Sequence, residues 1–297
     1  MHIRQKVLPQ LRSDLRNPIS PNASSINFIY IQNSPITEND LRLLFEKYPP
    51  LQDGVEVELR KSVEYENSAI YYGEWEKTGN KKHGRGIQVW TDGSRYEGYW
   101  KEDKANVKGK LIHSDGDVYE GDWLDDKAHG YGVYTHIDGA KYEGNWKDDK
   151  QDGKGKESWP DGASYEGDYK EGKKSGRGIF KWVDGSIYEG EFNDNKFNGY
   201  GHYIWAKNGH EYKGNYLNGK FHGEGFYRWG KNEYYNGEYV NGVKEGEGEI
   251  SYADGKKFFV NFTNGKPNGI GMFQDQDGNR CEVEFINGKI NKKYKKQ

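Results

Sequence analysis

This 297-residue sequence predicts an all-β fold: an elongated, single-layer antiparallel sheet of about ten β-hairpin repeats, preceded by a short N-terminal extension that contains one helix. Three observations carry that prediction. Aligning on the tripeptide Tyr119-Glu120-Gly121 places a leading residue at Tyr71, Tyr96, Tyr119, Tyr142, Tyr165, Tyr188, Tyr212, Tyr235, Phe258 and Cys281, at intervals of 23 residues except for one of 25 and one of 24. Four residues after each leader stands an aromatic: Trp75, Trp100, Trp123, Trp146, Tyr169, Phe192, Tyr216, Tyr239, Phe262 and Phe285. Asp-Gly or Asn-Gly precedes most leaders, as at Asp115-Gly116 and Asn208-Gly209, and such dipeptides accept the positive φ of tight turns. A fixed period of this length is the signature of a repeat architecture.

The elements follow in order. Residues 1–54 form the N-terminal extension, which holds six of the eight prolines and one glycine, Gly54, whereas the other forty glycines come after residue 70. Thr37 with Asp40 resembles a capping box, with Ile36 and Leu41 as its hydrophobic staple. Leu41, Leu44, Phe45 and Tyr48 then share one face until Pro49-Pro50 ends the helix, predicted over about residues 37–48. It either covers the open first edge of the sheet or anchors a partner. Residues 55–70 read as a degenerate half repeat: Val55 to Arg60 alternates as a strand, and Val63 to Tyr65 leads into Asn67-Ser68. Residues 71–290 hold the ten repeats and 291–297 a basic tail.

Within a unit, a second polar turn such as Asp149-Lys150 follows the aromatic, and a Gly-x-Gly pair such as Gly130/Gly132 follows the turn. Two turns in 23 residues leave room for two short strands. Alternation along a strand puts Tyr119, Gly121 and Trp123 on one face, and Gly130 and Gly132 on the same face of the returning strand, so rings meet bare backbone. Each ring contributes about 2 kcal/mol through the area it buries. All nine tryptophans obey the register, four at the aromatic position and the others at Trp90, Trp159, Trp182, Trp205 and Trp229.

Composition narrows the function. Forty-four Lys and Arg against 47 Asp and Glu exclude a generally basic nucleic-acid binder. Cys281 stands alone, so neither an intrachain disulfide nor a zinc quartet is expected. No apolar run approaches the roughly 20 residues of a membrane span, and no signal peptide is expected, which points to a cytoplasmic protein. The sequons at Asn22 and Asn261 are then chance matches.

The unit written here as YEGDWLDDKAHGYGVYTHIDG resembles the membrane occupation and recognition nexus (MORN) repeat, over residues 71–290. The resemblance implies a groove-bearing ribbon of successive hairpins. Members serve as cytoskeletal scaffolds, radial-spoke heads, junctional membrane proteins and appendages to lipid kinases or a methyltransferase. Only 70 residues precede the repeats, which is too few for a kinase or methyltransferase domain, so the chain is expected not to be an enzyme. The segments WKEDKAN, WLDDKAHGYG and WKDDKQDGKG look like MORN proteins of ciliated protists, which implies a cilium, axoneme or cortical cytoskeleton.

The candidate partner-binding groove comprises Tyr96, Trp100, Tyr119, Trp123, Tyr142, Trp146, Tyr165, Trp182, Tyr188, Trp205 and Tyr212. Val107 replaces the first glycine of one pair, and Val260 and Val283 replace the leader-associated glycine where Phe258 and Cys281 replace tyrosine. Phe258, Val260, Phe262, Val283 and Phe285 are therefore assigned to capping or self-association, with a homodimer through the C-terminal repeats. Glu97, Glu120, Glu143, Glu166 and Glu189 recur opposite the rings, either as a solvated face or as a docking strip for a basic partner. Lys292, Lys293, Lys295 and Lys296 are the cluster suited to anionic lipid. His83, His129 and His222 are register positions. The Gly-x-Gly pairs lack phosphate-loop context, and Asp275 to Gly278 lacks a calcium loop's first ligand and its helices, so no cofactor or metal is expected. The sequence thus predicts a structural scaffold whose partners are other proteins of a large assembly, without nucleic acid. The alternatives are a membrane-apposed adaptor binding anionic lipid and a regulatory subunit of a separate enzyme.

Overall fold

The computed structural model describes residues 36–294. The chain divides into two compact units, one running to Pro160 and taking in Lys170–Gly172, the other formed by Asp161–Tyr169 and the chain from Lys173. In the first, α1 (Glu38–Lys47) precedes β1 (Val57–Leu59), β2 (Val63–Glu64), β3 (Ile70–Glu76), β4 (Lys82–Val89), β5 (Arg95–Lys101), β6 (Lys104–Ile112), β7 (Val118–Leu124), β8 (Lys127–Thr135), β9 (Lys141–Lys147) and β10 (Lys150–Ser158). In the second, β11 (Ser164–Lys170), β12 (Lys173–Lys181), β13 (Ile187–Asn193), β14 (Lys196–Ile204), β15 (Glu211–Leu217), β16 (Lys220–Arg228), β17 (Tyr234–Val240), β18 (Val243–Ser251) and β19 (Lys257–Thr263) are followed by the split pair β20 (Lys266–Pro267) and β21 (Gly269–Gln274), then β22 (Arg280–Ile286) and β23 (Lys289–Lys293). The fold is all-β with one helix among the described residues; strands pair antiparallel in succession from β3 to β10 in the first unit and from β12 to β19 in the second, while β1 and β2 both pair with β3, and β20 and β21 both pair with β19.

The hairpins follow from the turn residues. At Asp125-Asp126 both central residues have positive φ, 49° and 67°, and Asn241-Gly242 repeats this at 51° and 87°. That is the left-handed pair a two-residue hairpin loop needs, and Asn, Asp and Gly tolerate it best. At the other end, the Asp115 carboxylate accepts the Asp117 N–H at 3.2 Å, and Gly116 N–H closes on His113 C=O at 3.0 Å.

A bulge refines the simple alternation. Register shifts between Gly121 and Trp123 against β8, and Gly130 takes a φ of 61° there. A Cβ on Gly130 would meet the Asp122 carboxylate at 2.6 Å, whereas one on Gly132 would meet the Tyr119 hydroxyl at 2.4 Å. Only the second glycine of the pair lies beneath a ring; the first turns the chain, and Asp122 Oδ2 accepts the Tyr131 N–H at 2.9 Å. Val107 holds the bulge position with φ 60°, an unusual conformation for a β-branched residue.

The helix forms as its capping residues dictate. Thr37 accepts from Asp40 N–H at 3.2 Å, Asp40 accepts from Thr37 N–H at 2.8 Å, and Arg42 pairs with Glu46 at 2.6 Å. Its destination differs from the edge-covering expectation. Leu41, Leu44 and Tyr48 pack on Ile87 and Tyr99, with Ile36, Phe45, Tyr72, Val89 and Val107 around them, so α1 lies on the sheet face opposite the leader rings. Arg95 pairs with Asp40 at 3.1 Å and Lys47 with Glu120 at 3.1 Å. The first edge is covered instead by β1 and β2, which share β3. They fill the half-repeat position imperfectly, since Trp75 Nε1 is buried without a partner.

Candidate interaction surface

Each leader tyrosine is built into a repeated lock. Tyr119 lies edge-on between Trp123 and Trp146, both at 5.2 Å, and Tyr96 likewise between Trp100 at 5.0 Å and Trp123 at 5.2 Å. The aromatic four residues on thus serves two repeats at once. The tyrosine hydroxyl donates to the bulge carbonyl three residues later, Tyr119 to Asp122 at 2.9 Å and Tyr235 to Glu238 at 3.0 Å. Trp100, Trp123 and Trp146 donate Nε1–H to the carbonyls of Gly86, Gly109 and Gly132 at 3.0–3.1 Å. Burial pushes these phenols up, Tyr235 to about 12.

A second row crosses the rings nine residues after the leader, eleven in the longer first repeat, and it follows the size of the aromatics beside it. Beside pairs of tryptophans stand Ala105 and Ala128, whereas Phe197 stacks on Tyr188 at 3.6 Å and Phe221 on Tyr212 at 3.7 Å where Phe and Tyr replace Trp. Lysine takes this place three times. Lys82 Nζ sits 3.8 Å from the centre of the Trp100 ring and bonds Gln88 at 2.6 Å, Lys174 covers Tyr165 at 5.0 Å and Lys244 covers Tyr235 at 4.4 Å. Burial pulls the Lys82 ammonium down to about 8, against the opposing charges of Asp103 and Asp126. Lys82, Gln88, Trp90, Trp100, Asp103 and Ala105 are among the lining of a cavity of about 300 Å³.

The polar turns form a third ladder. Asp126 Oδ1 accepts the Ala105 N–H at 2.8 Å while its own N–H donates to Ala105 C=O at 2.9 Å, and Asp149 bonds Ala128 in the same way at 2.8 and 3.1 Å. On the face opposite the rings the charges are interleaved: Lys108 with Asp122 at 2.7 Å, Lys141 with Glu143 at 3.2 Å, and Arg228, His202 and Lys213 around Glu211. Burial opposes ionisation of Glu211, but those three partners outweigh it and hold the carboxyl down to about 2. The glutamate strip is therefore compensated in part by its own chain, and Glu120 faces α1 through Lys47.

The anticipated groove is mostly core. Tyr96, Tyr119, Tyr142, Tyr165, Tyr188 and Tyr212 are fully buried, and Trp100, Trp123 and Trp146 nearly so; a partner cannot reach them while the hairpins are intact. Trp182 and Trp205 are half-buried and brought together through Tyr203, at 5.0 and 4.3 Å. The C-terminal set is also packed inward. Val260 and Val283 fill the space that a ring and a glycine share elsewhere, as a Cβ on Gly271 would meet Val260 at 2.7 Å, while Phe285 packs on Phe258 at 5.4 Å. Lys292 and Lys293 are exposed on β23 rather than in a tail, and Lys295 and Lys296 lie outside the described residues, as does Asn22. The row nine residues after the leader was missed, although the pairing of Ala with Trp and Phe with Tyr or Phe is a signal present in the sequence. Among the described residues no group of three or more His, Cys, Asp or Glu could hold a metal ion, and no helix is long and apolar enough to cross a membrane.

Comparison with solved structures finds weak likenesses. A mutant TCP10 domain of Danio rerio CPAP aligns with TM-score 0.34 at 11% identity over 80% of this chain and 100% of that one. The TCP domain of Drosophila melanogaster SAS-4, solved with a proline-rich motif of Ana2, gives 0.27 at 11% over 80% and 96%. Virginiamycin B lyase of Staphylococcus aureus gives 0.14 at 14% over 82% and 87%. No curated protein matches the sequence. The MORN repeat profile matches nine consecutive segments, residues 71–95, 96–118, 119–141, 142–164, 165–187, 188–210, 212–234, 235–257 and 261–280. The expected tenth repeat, β22 with β23, keeps the hairpin but falls beyond the last match. With its matched segments covering most of the sequence and its hairpins in the same register, the chain belongs to the MORN repeat family.

Proposed function

We propose that the chain is a non-enzymatic scaffold or adaptor that binds other proteins along its repeat sheet, in a ciliary (axonemal, radial-spoke-like) or cytoskeletal assembly of the cytoplasm. The observation that supports protein binding is the half-buried pair Trp182 and Trp205, the members of the candidate set left in contact with solvent. Indoles so placed are the anchors that carry binding energy at protein interfaces. Each stands directly after a strand, where its carbonyl accepts the turn N–H of Gly185 or Gly209 at 3.0 and 2.9 Å, so little ordering cost falls on the encounter. The ciliary or cytoskeletal setting rests on the likeness of the unit consensus to MORN proteins of ciliated protists.

Tagged full-length chain and its Trp182→Ala/Trp205→Ala variant, purified from the same cells, test this reading. Axonemal or cytoskeletal proteins retained by the wild type and depleted from the variant are expected. Recovery of a lipid kinase alone, or retention on anionic vesicles without protein partners, would favour the adaptor alternatives and overturn it.

A further inference from the structure

The first and last strands of the sheet each have one strand neighbour among the described residues. At the first, β1 and β2 pair with β3 alone. At the last, β23 pairs with β22 alone, and all five of its residues are exposed. Open edges present a row of unpaired N–H and C=O groups that another strand can complete.

Their chemistry is complementary. Between residues 53 and 66 the chain carries five acidic and two basic residues, and Glu64 and Glu66 are exposed and form no ion pair with a described residue. Strand β23 carries Lys289, Lys292 and Lys293, all exposed and likewise without an ion pair to a described residue. Each edge also presents one large aliphatic side chain to solvent, Leu59 at 51% and Ile290 at 46% exposure.

From these edges we infer that the chain associates head to tail, the β23 edge of one copy adding to the β1–β2 edge of a second copy. Pairing two β23 edges would set lysines against lysines, and pairing two β1–β2 edges would set glutamates against glutamates, both unfavourable across a ladder. The mixed contact removes both repulsions and covers Leu59 with Ile290. It also differs from a homodimer through the C-terminal repeats, whose apolar residues Val260, Phe262, Val283 and Phe285 are already consumed inside the chain. Because the contact joins two different surfaces, it repeats into chains or rings rather than closing at two copies. It goes beyond the capture of other proteins and does not depend on the half-buried tryptophans.

Sedimentation velocity of the full chain tests it. The mean mass is expected to rise above the 34.3 kDa monomer with concentration in about 50 mM salt, and to fall back in about 500 mM salt as screening weakens the contact. Glu64→Lys/Glu66→Lys has two basic edges and Lys292→Glu/Lys293→Glu two acidic edges. Each alone is expected to need about tenfold more protein to associate, with the circular dichroism of the sheet unchanged. An equimolar mixture of the two is expected to regain wild-type association, which a folding defect in either would prevent. A wild type monomeric under all these conditions overturns the inference. So does a glutamate-edge variant that associates as the wild type does, or a mixture that fails to recover.

Discussion

Two tyrosine hydroxyls in the same fold should respond oppositely to the same substitution. Tyr119 is fully buried, and its hydroxyl donates to Asp122 C=O at 2.9 Å. Tyr119→Phe keeps the ring between Trp123 and Trp146 but strips the bulge carbonyl of that donor. Loss of a buried hydrogen bond with its acceptor left behind costs about 1–2 kcal/mol. Tyr216 stands four residues after its leader, is equally enclosed, and its hydroxyl has no partner. Desolvating a hydroxyl without compensation costs about 1–3 kcal/mol, and Phe192, Phe262 and Phe285 show that the same register accepts a ring without oxygen. Tyr216→Phe should therefore be neutral or stabilising by up to about 1 kcal/mol. Urea unfolding followed by tryptophan fluorescence would move the midpoint down for the first variant and leave it level or raise it for the second, at constant slope. Equal losses in both would show that the hydroxyls do not lock the bulge as described.

Other perturbations probe the remaining ladders. Lys82→Met removes a cation whose folded pKa is about 8 while the unfolded value is about 10.4. The unfolded wild type therefore binds more protons between those pH values, so wild-type stability relative to the variant should rise from pH 8 to pH 10.5, by up to about 3 kcal/mol; a flat difference between the two urea series would contradict this. Ala128→Phe inserts a ring between Trp123 and Trp146 and should destabilise by about 1–3 kcal/mol. Phe197→Ala, which empties the stack on Tyr188, should cost about 3–5 kcal/mol, and thermal unfolding would rank them. Leu44→Ala should cost about 2–4 kcal/mol and raise hydrogen exchange in α1 without changing protection in the strands from β7 to β9. Loss of protection in those strands would mean that α1 supports the whole unit.

Much of this architecture is legible because the repeat writes the same local chemistry many times. The Asp-Asp and Asn-Gly turns, the Thr37–Asp40 capping box and the ring-over-glycine register are local, and a strand or helix obeys them wherever it packs. What escaped is decided between elements. Alternation alone places Gly130 beside Gly132, and only the bulge, paired across β7 and β8, takes it out of the ring's shadow. The tyrosines look like groove residues until the next repeat's aromatic closes over each of them. The helix was expected either to cover an edge or to anchor a partner, yet Tyr72, Ile87, Val89, Tyr99 and Val107 break the polar pattern on one face of the first two repeats, and they mark where α1 lies. Phe258 with Val260, and Cys281 with Val283, likewise read as a cap or a self-association surface, until the chain's own packing is seen to bury both valines.

The central claim, that the chain holds its partners through the half-buried tryptophans while the buried rings serve the fold, is tested most directly by one comparison. Partner capture is measured for the wild type, for Tyr119→Phe and for Trp182→Ala/Trp205→Ala, each with the circular dichroism of an intact sheet. Capture should persist in the tyrosine variant and fall at least about tenfold in the tryptophan variant. Equal capture by all three would contradict the account and move the contact to another part of the sheet.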